Sequence, residues 1–166
     1  IQPLLITSKF DSGNIADYTI EHDGVINFRV KKDIKAERFH WFYFKVEHNA
    51  SDDVCFRLLD VQTSFYPDGW DGYLPFVSTD DSNWKRVDRC VYRHGILTFW
   101  VKNPGRVFSI AWYPPYPYSR YREWINQLGS HAGVRIEEYP SLRPESPFHI
   151  ITVGDEEAVK KKKKRI

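Results

Sequence analysis

From the N-terminus to about Tyr113, apolar positions recur at short intervals with turn chemistry between them and no helical period. Turn clusters at Asp11-Ser12-Gly13-Asn14 and His22-Asp23-Gly24 punctuate the first segments. Tyr18–Glu21 and Val25–Val30 are spaced as a hairpin around Asp23-Gly24. Phe39–Val46 reads FHWFYFKV, aromatic at successive positions, the pattern of a central strand covered on both faces. Val54–Leu59, Arg86–Tyr92, Ile96–Val101 and Val107–Tyr113 follow, separated by Asn49-Ala50-Ser51-Asp52-Asp53, His94-Gly95 and Asn103-Pro104-Gly105. Seven or eight short strands at this spacing predict a mainly β fold, an antiparallel β-sandwich. Between Gln62 and Asn83 the chain is rich in Gly, Pro, Asp and aromatic residues, which predicts a long ordered loop.

The pattern changes at Pro114-Pro115-Tyr116-Pro117, a stiff connector that cannot pair within a central strand. A short helix is predicted next, capped by Ser119 and ended by Gly129, with Tyr121, Trp124, Ile125 and Leu128 on one stripe. Two further strands, Val134–Glu138 and Phe148–Val153, follow across Leu142–Pro147. A helix and two strands bury little core alone, so residues 1–113 are expected to form one β domain and 114–166 a connector with an unfinished α/β unit.

Charge alters this picture only at the C-terminal end. Lys160, Lys161, Lys162, Lys163, Lys164 and Arg165 account for six of the 24 basic residues, and the remaining 18 face 22 acidic ones. The body is therefore mildly acidic and offers no basic face for nucleic acid. The terminal run reads as a solvated charge block leading into Ile166, or as a polyanion or nuclear-localisation patch. No apolar run approaches the ~20 residues of a membrane span, and the N-terminus has neither a basic n-region nor a starting Met. A soluble, cytoplasmic protein with no membrane partner is expected. Cys55 and Cys90 lie in apolar, strand-like contexts and read as buried thiols or as one disulfide. Asn49-Ala50-Ser51 has the glycosylation pattern, which has no consequence in cytosol.

The candidate chemistry is sparse. His22, His40, His48, His94, His131 and His149 form no HxxE or HxH pair, and no cysteine lies near one at metal spacing, so each is read as structural or solvated. No GxSxG, P-loop or GxGxxG occurs, and Asp52-Asp53 and Asp80-Asp81 suit turns better than acid–base work. Tyr66, Trp70, Tyr73, Phe76 and Trp84 crowd the long loop. They read as packing, or as a platform for stacking a carbohydrate in a stand-alone binding module.

Four segments carry a family resemblance, in family order. FDSGNI at Phe10–Ile15, WFYFKV at Trp41–Val46, GYLPFVS at Gly72–Ser78 with WKR at Trp84–Arg86, and FSIAWYPPYPYS at Phe108–Ser119 resemble the corresponding stretches of the zinc carboxypeptidases, in their cytosolic, deglutamylase-like branch with its bacterial relatives. The resemblance implies a β-sandwich leader followed by the first helix and strands of an α/β zinc-peptidase domain. It implies that the complete protein removes C-terminal residues from peptides or proteins by metal-assisted hydrolysis. The zinc ligands and catalytic residues of the family come later than Ile166, so no catalytic or metal residue is carried over and this segment alone is not an enzyme. Leu142–Pro147 departs from the Gly-containing turn of many relatives. The leader's expected partner is its own catalytic domain, with Trp84, Arg86, Tyr116 and Tyr118 at or near that contact.

Overall fold

A computed structural model describes residues 4–48 and 52–154. Asn49-Ala50-Ser51, Lys160–Arg165 and Ile166 lie outside the described residues. The chain divides into two compact units, Ile1–Pro115 and Tyr116–Ile166.

In the first unit the strands run β1 (Leu4–Thr7), β2 (Asp17–Ile20), β3 (Ile26–Arg29), β4 (Tyr43–His48) and β5 (Val54–Leu58). They continue as β6 (Phe76–Ser78), β7 (Lys85–Arg86), β8 (Arg89–Arg93), β9 (Ile96–Val101) and β10 (Val107–Ala111). One five-stranded sheet has the order β1-β4-β10-β6-β7 and the other β2-β3-β5-β9-β8. Strict alternation builds the inner face of the second sheet. Val54, Phe56 and Leu58 of β5 and Leu97, Phe99 and Val101 of β9 are buried, and the register sets Phe56 opposite Phe99. Their rings stack at 5.3 Å. Rings of the other sheet close over them: Phe44 lies 5.0 Å from Phe28 and 5.9 Å from Phe56, and Phe108 lies 6.3 Å from Phe56. Both sheets therefore share one aromatic core. Each such side chain contributes about 1.5–3 kcal/mol on leaving water.

Several boundaries differ from the sequence pattern for identifiable reasons. The strand expected over Phe39–Val46 begins at Tyr43. Upstream of it, backbone carbonyls are taken by nonlocal donors: Phe39 by the Phe65 amide at 3.2 Å and Trp41 by the Asn14 side chain at 2.8 Å. From Tyr43 on, both faces are covered as the pattern demands. Phe44 and Val46 face the core, while Tyr43 is shielded by Phe10 at 4.8 Å and Trp84 at 5.8 Å. The expected strand Arg86–Tyr92 is split at Val87 and Asp88, so β7 pairs in one sheet and β8 in the other. The pairing is antiparallel except between β3 and β5. The chain leaves the second sheet after β3, runs through β4 in the first sheet and returns, the long crossover a parallel pair requires.

Two glycines answer specific demands. A Cβ on Gly13 would meet the Ser8 carbonyl oxygen at 2.2 Å, so only glycine lets the FDSGN loop close against β1. His94 and Gly95 both have positive φ, 51° and 75°, the twist that a two-residue hairpin between β8 and β9 needs.

In the second unit the helix α1 spans Tyr118–Leu128, and β11 (Val134–Tyr139) pairs antiparallel with β12 (Phe148–Val153). Ser119 is not the cap. Pro117 holds the N-cap position with extended backbone, and Ser119 falls inside the first turn. Proline suits this end because the first helical amides lack intrahelical acceptors in any case. Gly129 ends the helix in the right-handed region, φ −63°, where a Cβ would press on Ile136 Cδ1 at 3.4 Å. Of the predicted stripe, Ile125 is buried while Trp124 is exposed.

Register also places the two cysteines. Cys55 lies opposite Trp100 and Cys90 opposite Phe99, so they point to opposite faces of one sheet and cannot bridge. Both are free. Burial pushes the Cys90 thiol up to about 12 and raises that of Cys55. At pH 8 both are therefore held as thiols, the unreactive form. Iodoacetamide at pH 8 is expected to label the folded protein far more slowly than a free cysteine. Unfolding in urea without reductant should then release both thiols; a fully oxidised pair would contradict this placement.

Candidate functional site

The segment from Val61 to Arg86 carries most of the residues the sequence offers for recognition, and nearly every ring in it has a partner. Two single turns of 3-10 helix, Val61–Thr63 and Pro67–Trp70, fold the segment back on itself. Pro67 opens the second turn, where its missing N–H is no loss. That turn delivers Trp70 into the core with no exposure at all, and its Nε1–H donates to the buried Ser64 Oγ at 2.7 Å. Trp112, from the end of the first unit, lies 4.4 Å from Trp70 and stacks on Tyr73 at 3.9 Å, and Tyr73 also meets Trp70 edge-on at 5.5 Å. The Tyr73 hydroxyl donates to the Trp112 carbonyl, and burial pushes its ionisation far up, so it remains a donor. His40 closes the cluster at 4.4 Å from Trp112; burial lowers its pKa and favours the neutral ring.

The outer end of the segment is fixed by polar bonds. The Arg86 guanidinium donates to the Leu74 carbonyl at 2.6 Å and lies over Phe76 at 4.4 Å. Trp84 packs edge-on against Tyr43 and donates through Nε1 to the Asp81 carbonyl at 3.1 Å. Asp80 caps the turn by accepting from the amides of Ser82 and Asn83, at 2.9 and 2.7 Å, and from the Asn83 side chain. Those bonds, the Asn83 side chain foremost, hold its carboxyl well below the usual carboxylate range. The Lys45 ammonium pairs with Asp81 at 2.7 Å. Burial, reinforced by the Asp81 charge, raises the Tyr43 phenol to about 12. The rings that could form a stacking platform are thus used internally: Trp70 is in the core, Tyr73 lies against Trp112, and Arg86 covers Phe76. Tyr66, 71% exposed, is the exception.

In the second unit, Tyr118 donates from its hydroxyl to the Pro147 carbonyl at 3.0 Å, and the Arg120 guanidinium lies 5.2 Å from the Tyr116 ring. Tyr121 and His149 share a hydrogen bond of 3.1 Å at Nδ1, and His149 Nε2 lies 3.4 Å from the Glu138 carboxylate. His149, almost wholly buried, pins α1 to the hairpin. Residue type alone could not show this, because Glu138 and His149 meet only once the register of β11 and β12 is known.

Of the four residues assigned to a domain contact, Trp84 and Arg86 flank Lys85 in the first unit, and Tyr116 and Tyr118 flank Pro117 in the second. Among the described residues, no three or more His, Cys, Asp or Glu side chains gather as a metal site would require. The residues described do not fit a zinc site, and no catalytic step runs through one here.

Comparison with known proteins agrees with the fold. Residues 6–113 match the family described as the cytosolic carboxypeptidase N-terminal domain. An uncharacterized protein of Zymomonas mobilis subsp. mobilis is 29% identical over 153 residues, covering 92% of this chain and 40% of that protein. The structure of a candidate carboxypeptidase from Burkholderia mallei superposes with a TM-score of 0.82 at 27% identity, covering 92% of this chain and 39% of that one. A metallo-carboxypeptidase from Pseudomonas aeruginosa, solved with (2-guanidinoethylmercapto)succinic acid, gives a TM-score of 0.79 at 27% identity, covering 89% and 39%. The chain spans about two-fifths of the length of these relatives.

Proposed function

This chain belongs to the cytosolic carboxypeptidase N-terminal domain family, and on that premise we propose that it is the leading, non-catalytic part of a zinc metallo-carboxypeptidase. The complete protein would remove C-terminal residues from peptides or proteins in the cytoplasm. The observation that carries this reading is the match itself: 89% of this chain aligns with only 39% of a metallo-carboxypeptidase, with the described residues holding no metal-binding group.

On the same reading the first unit is a β-sandwich that shapes and supports the catalytic domain. Two five-stranded sheets sharing one ring-packed core support this. The second unit would then be the connector and the start of the α/β catalytic domain. Its hairpin supports that role: Tyr139, Phe148 and Ile150 share the face turned from His149 and Ile151, and all three are exposed. They alternate there with Arg135, Glu137 and Thr152, so this face is mixed, and its apolar half is what a further layer of the protein would cover. Zinc belongs to the later part of the protein, where it would supply Lewis-acid chemistry.

Two experiments test this. The complete protein, purified with its metal, should carry about one zinc per chain. It should shorten peptides from the C-terminus one residue at a time by mass spectrometry, lose that activity to a chelator and regain it with zinc. Protein purified without zinc that also leaves peptides intact after zinc is added would refute the reading. Trp84, Arg86, Tyr116 and Tyr118 are proposed to lie at the contact with the catalytic domain. Trp84→Ala removes an edge-on aromatic pair worth about 0.5–1.5 kcal/mol within the first unit. The melting temperature should fall further in the complete protein than in residues 1–115 alone; equal losses would make Trp84 a purely local residue.

A further inference from the structure

The outer face of the sheet β2-β3-β5-β9-β8 is sorted by charge. At its β3 end, Arg29 is paired with Asp60 at 2.8 Å and Asp17 at 3.4 Å. Arg57 of the central strand and Arg89 and Arg93 of the β8 edge share no ion pair with any described carboxylate, and Asp88, beside Arg89, is engaged by Lys102 at 3.8 Å. The register fixes how the three stand. Arg89 is opposite Trp100, Arg57 opposite Thr98 with Val91 on the far side, and Arg93 opposite Ile96. Together with Arg57 and Arg89, these residues line a shallow groove of about 400 Å³. The Arg89 guanidinium lies over Trp100 at 4.4 Å, which orients its fork along the surface. From strand spacing, Arg57 stands about 10 Å from the β8 row, and Arg89 and Arg93 are about 13 Å apart. A second feature lies beside this triangle: among the described residues β8 pairs on one side only, leaving an open sheet edge.

We propose that this face is a docking surface for an extended acidic segment of polypeptide, which adds along β8 and sets carboxylates four residues apart against Arg89 and Arg93. Charge complementarity selects the sign of the partner, and the geometry selects its class. An edge strand offers alternating N–H and C=O groups that a peptide backbone matches and a phosphodiester backbone does not. Val91, sitting midway between the two arginines, asks for an apolar side chain at the intervening outward position. Outside these arginines and the Lys160–Arg165 run, the chain carries 15 basic against 22 acidic residues, an excess of acid that disfavours such a segment there. The proposal holds or fails independently of the activity proposed above.

The test is fluorescence anisotropy on the complete protein with a labelled peptide bearing glutamates four residues apart and valine midway, at low and high salt. The expected result is saturable binding that weakens with salt. Replacing the three arginines by glutamine should weaken it about fivefold, the sum of the two exposed pairs made by Arg89 and Arg93, with the melting temperature unchanged. Exchanging the peptide's glutamates for glutamines should weaken it comparably, and this arm decides the matter if the triple variant does not fold. Equal binding by wild type and triple variant, indifference to the glutamate exchange, or tighter binding of a single-stranded oligonucleotide through the same arginines would overturn the proposal.

Discussion

The fold of the first unit turns on the burial of one indole. The Trp112 amide donates to the Phe42 carbonyl at 2.9 Å, which holds the end of β10 beside the start of β4. Its ring packs against both Trp70 and Tyr73, and its carbonyl receives the Tyr73 hydroxyl. A loop of some twenty residues is costly to order. Here three of its side chains are anchored in place: Trp70 through Ser64, Tyr73 through Trp112 and Arg86 through Leu74. Without Trp112 the loop would have no surface to close on, and the inner face of the first sheet would stand open at that end.

The same logic explains why the motif-like stretches are scattered along the chain yet belong together. FDSGN and WFYF interlock: Trp41 Nε1 donates to the Ser12 carbonyl at 2.7 Å, and Asn14 returns bonds to the carbonyls of Trp41 and Tyr43 at 2.8 Å each. GYLPFVS and FSIAWY interlock through Tyr73 and Trp112, and through Val77 opposite Ile110. These stretches are contact surfaces for one another. Their order in sequence reflects the order in which the two sheets are visited, which links the family resemblance to the packing that enforces it.

Legibility followed locality. The hairpin at Asp23-Gly24, the turn at His94-Gly95 and the extents of β11 and β12 rest on neighbouring residues and are readable to within a residue or two, while the pairing of β11 with β12 is not. The strands β1 and β6 were not, because four- and three-residue segments are too short to show a period. The parallel pairing of β3 with β5 leaves no local trace, since it depends on where the chain goes between them. The site residues divide the same way. Aromatic crowding between Gln62 and Asn83 was visible, but not the partners that turn those rings inward. The unpaired arginines of the outer sheet emerge only when β5, β8 and β9 are laid side by side.

On the functional reading, residues 1–115 hold a complete core and residues 116–166 do not. In the latter, Ile125 is the one buried apolar residue among the described residues, while Tyr139, Phe148 and Ile150 are exposed. The most direct test is to express each piece separately and follow its unfolding in urea. Residues 1–115 should unfold in a single cooperative transition, and residues 116–166 should show none and give the circular dichroism of an unfolded chain. A cooperative transition in residues 116–166, or its absence in residues 1–115, would contradict the division on which the functional reading rests.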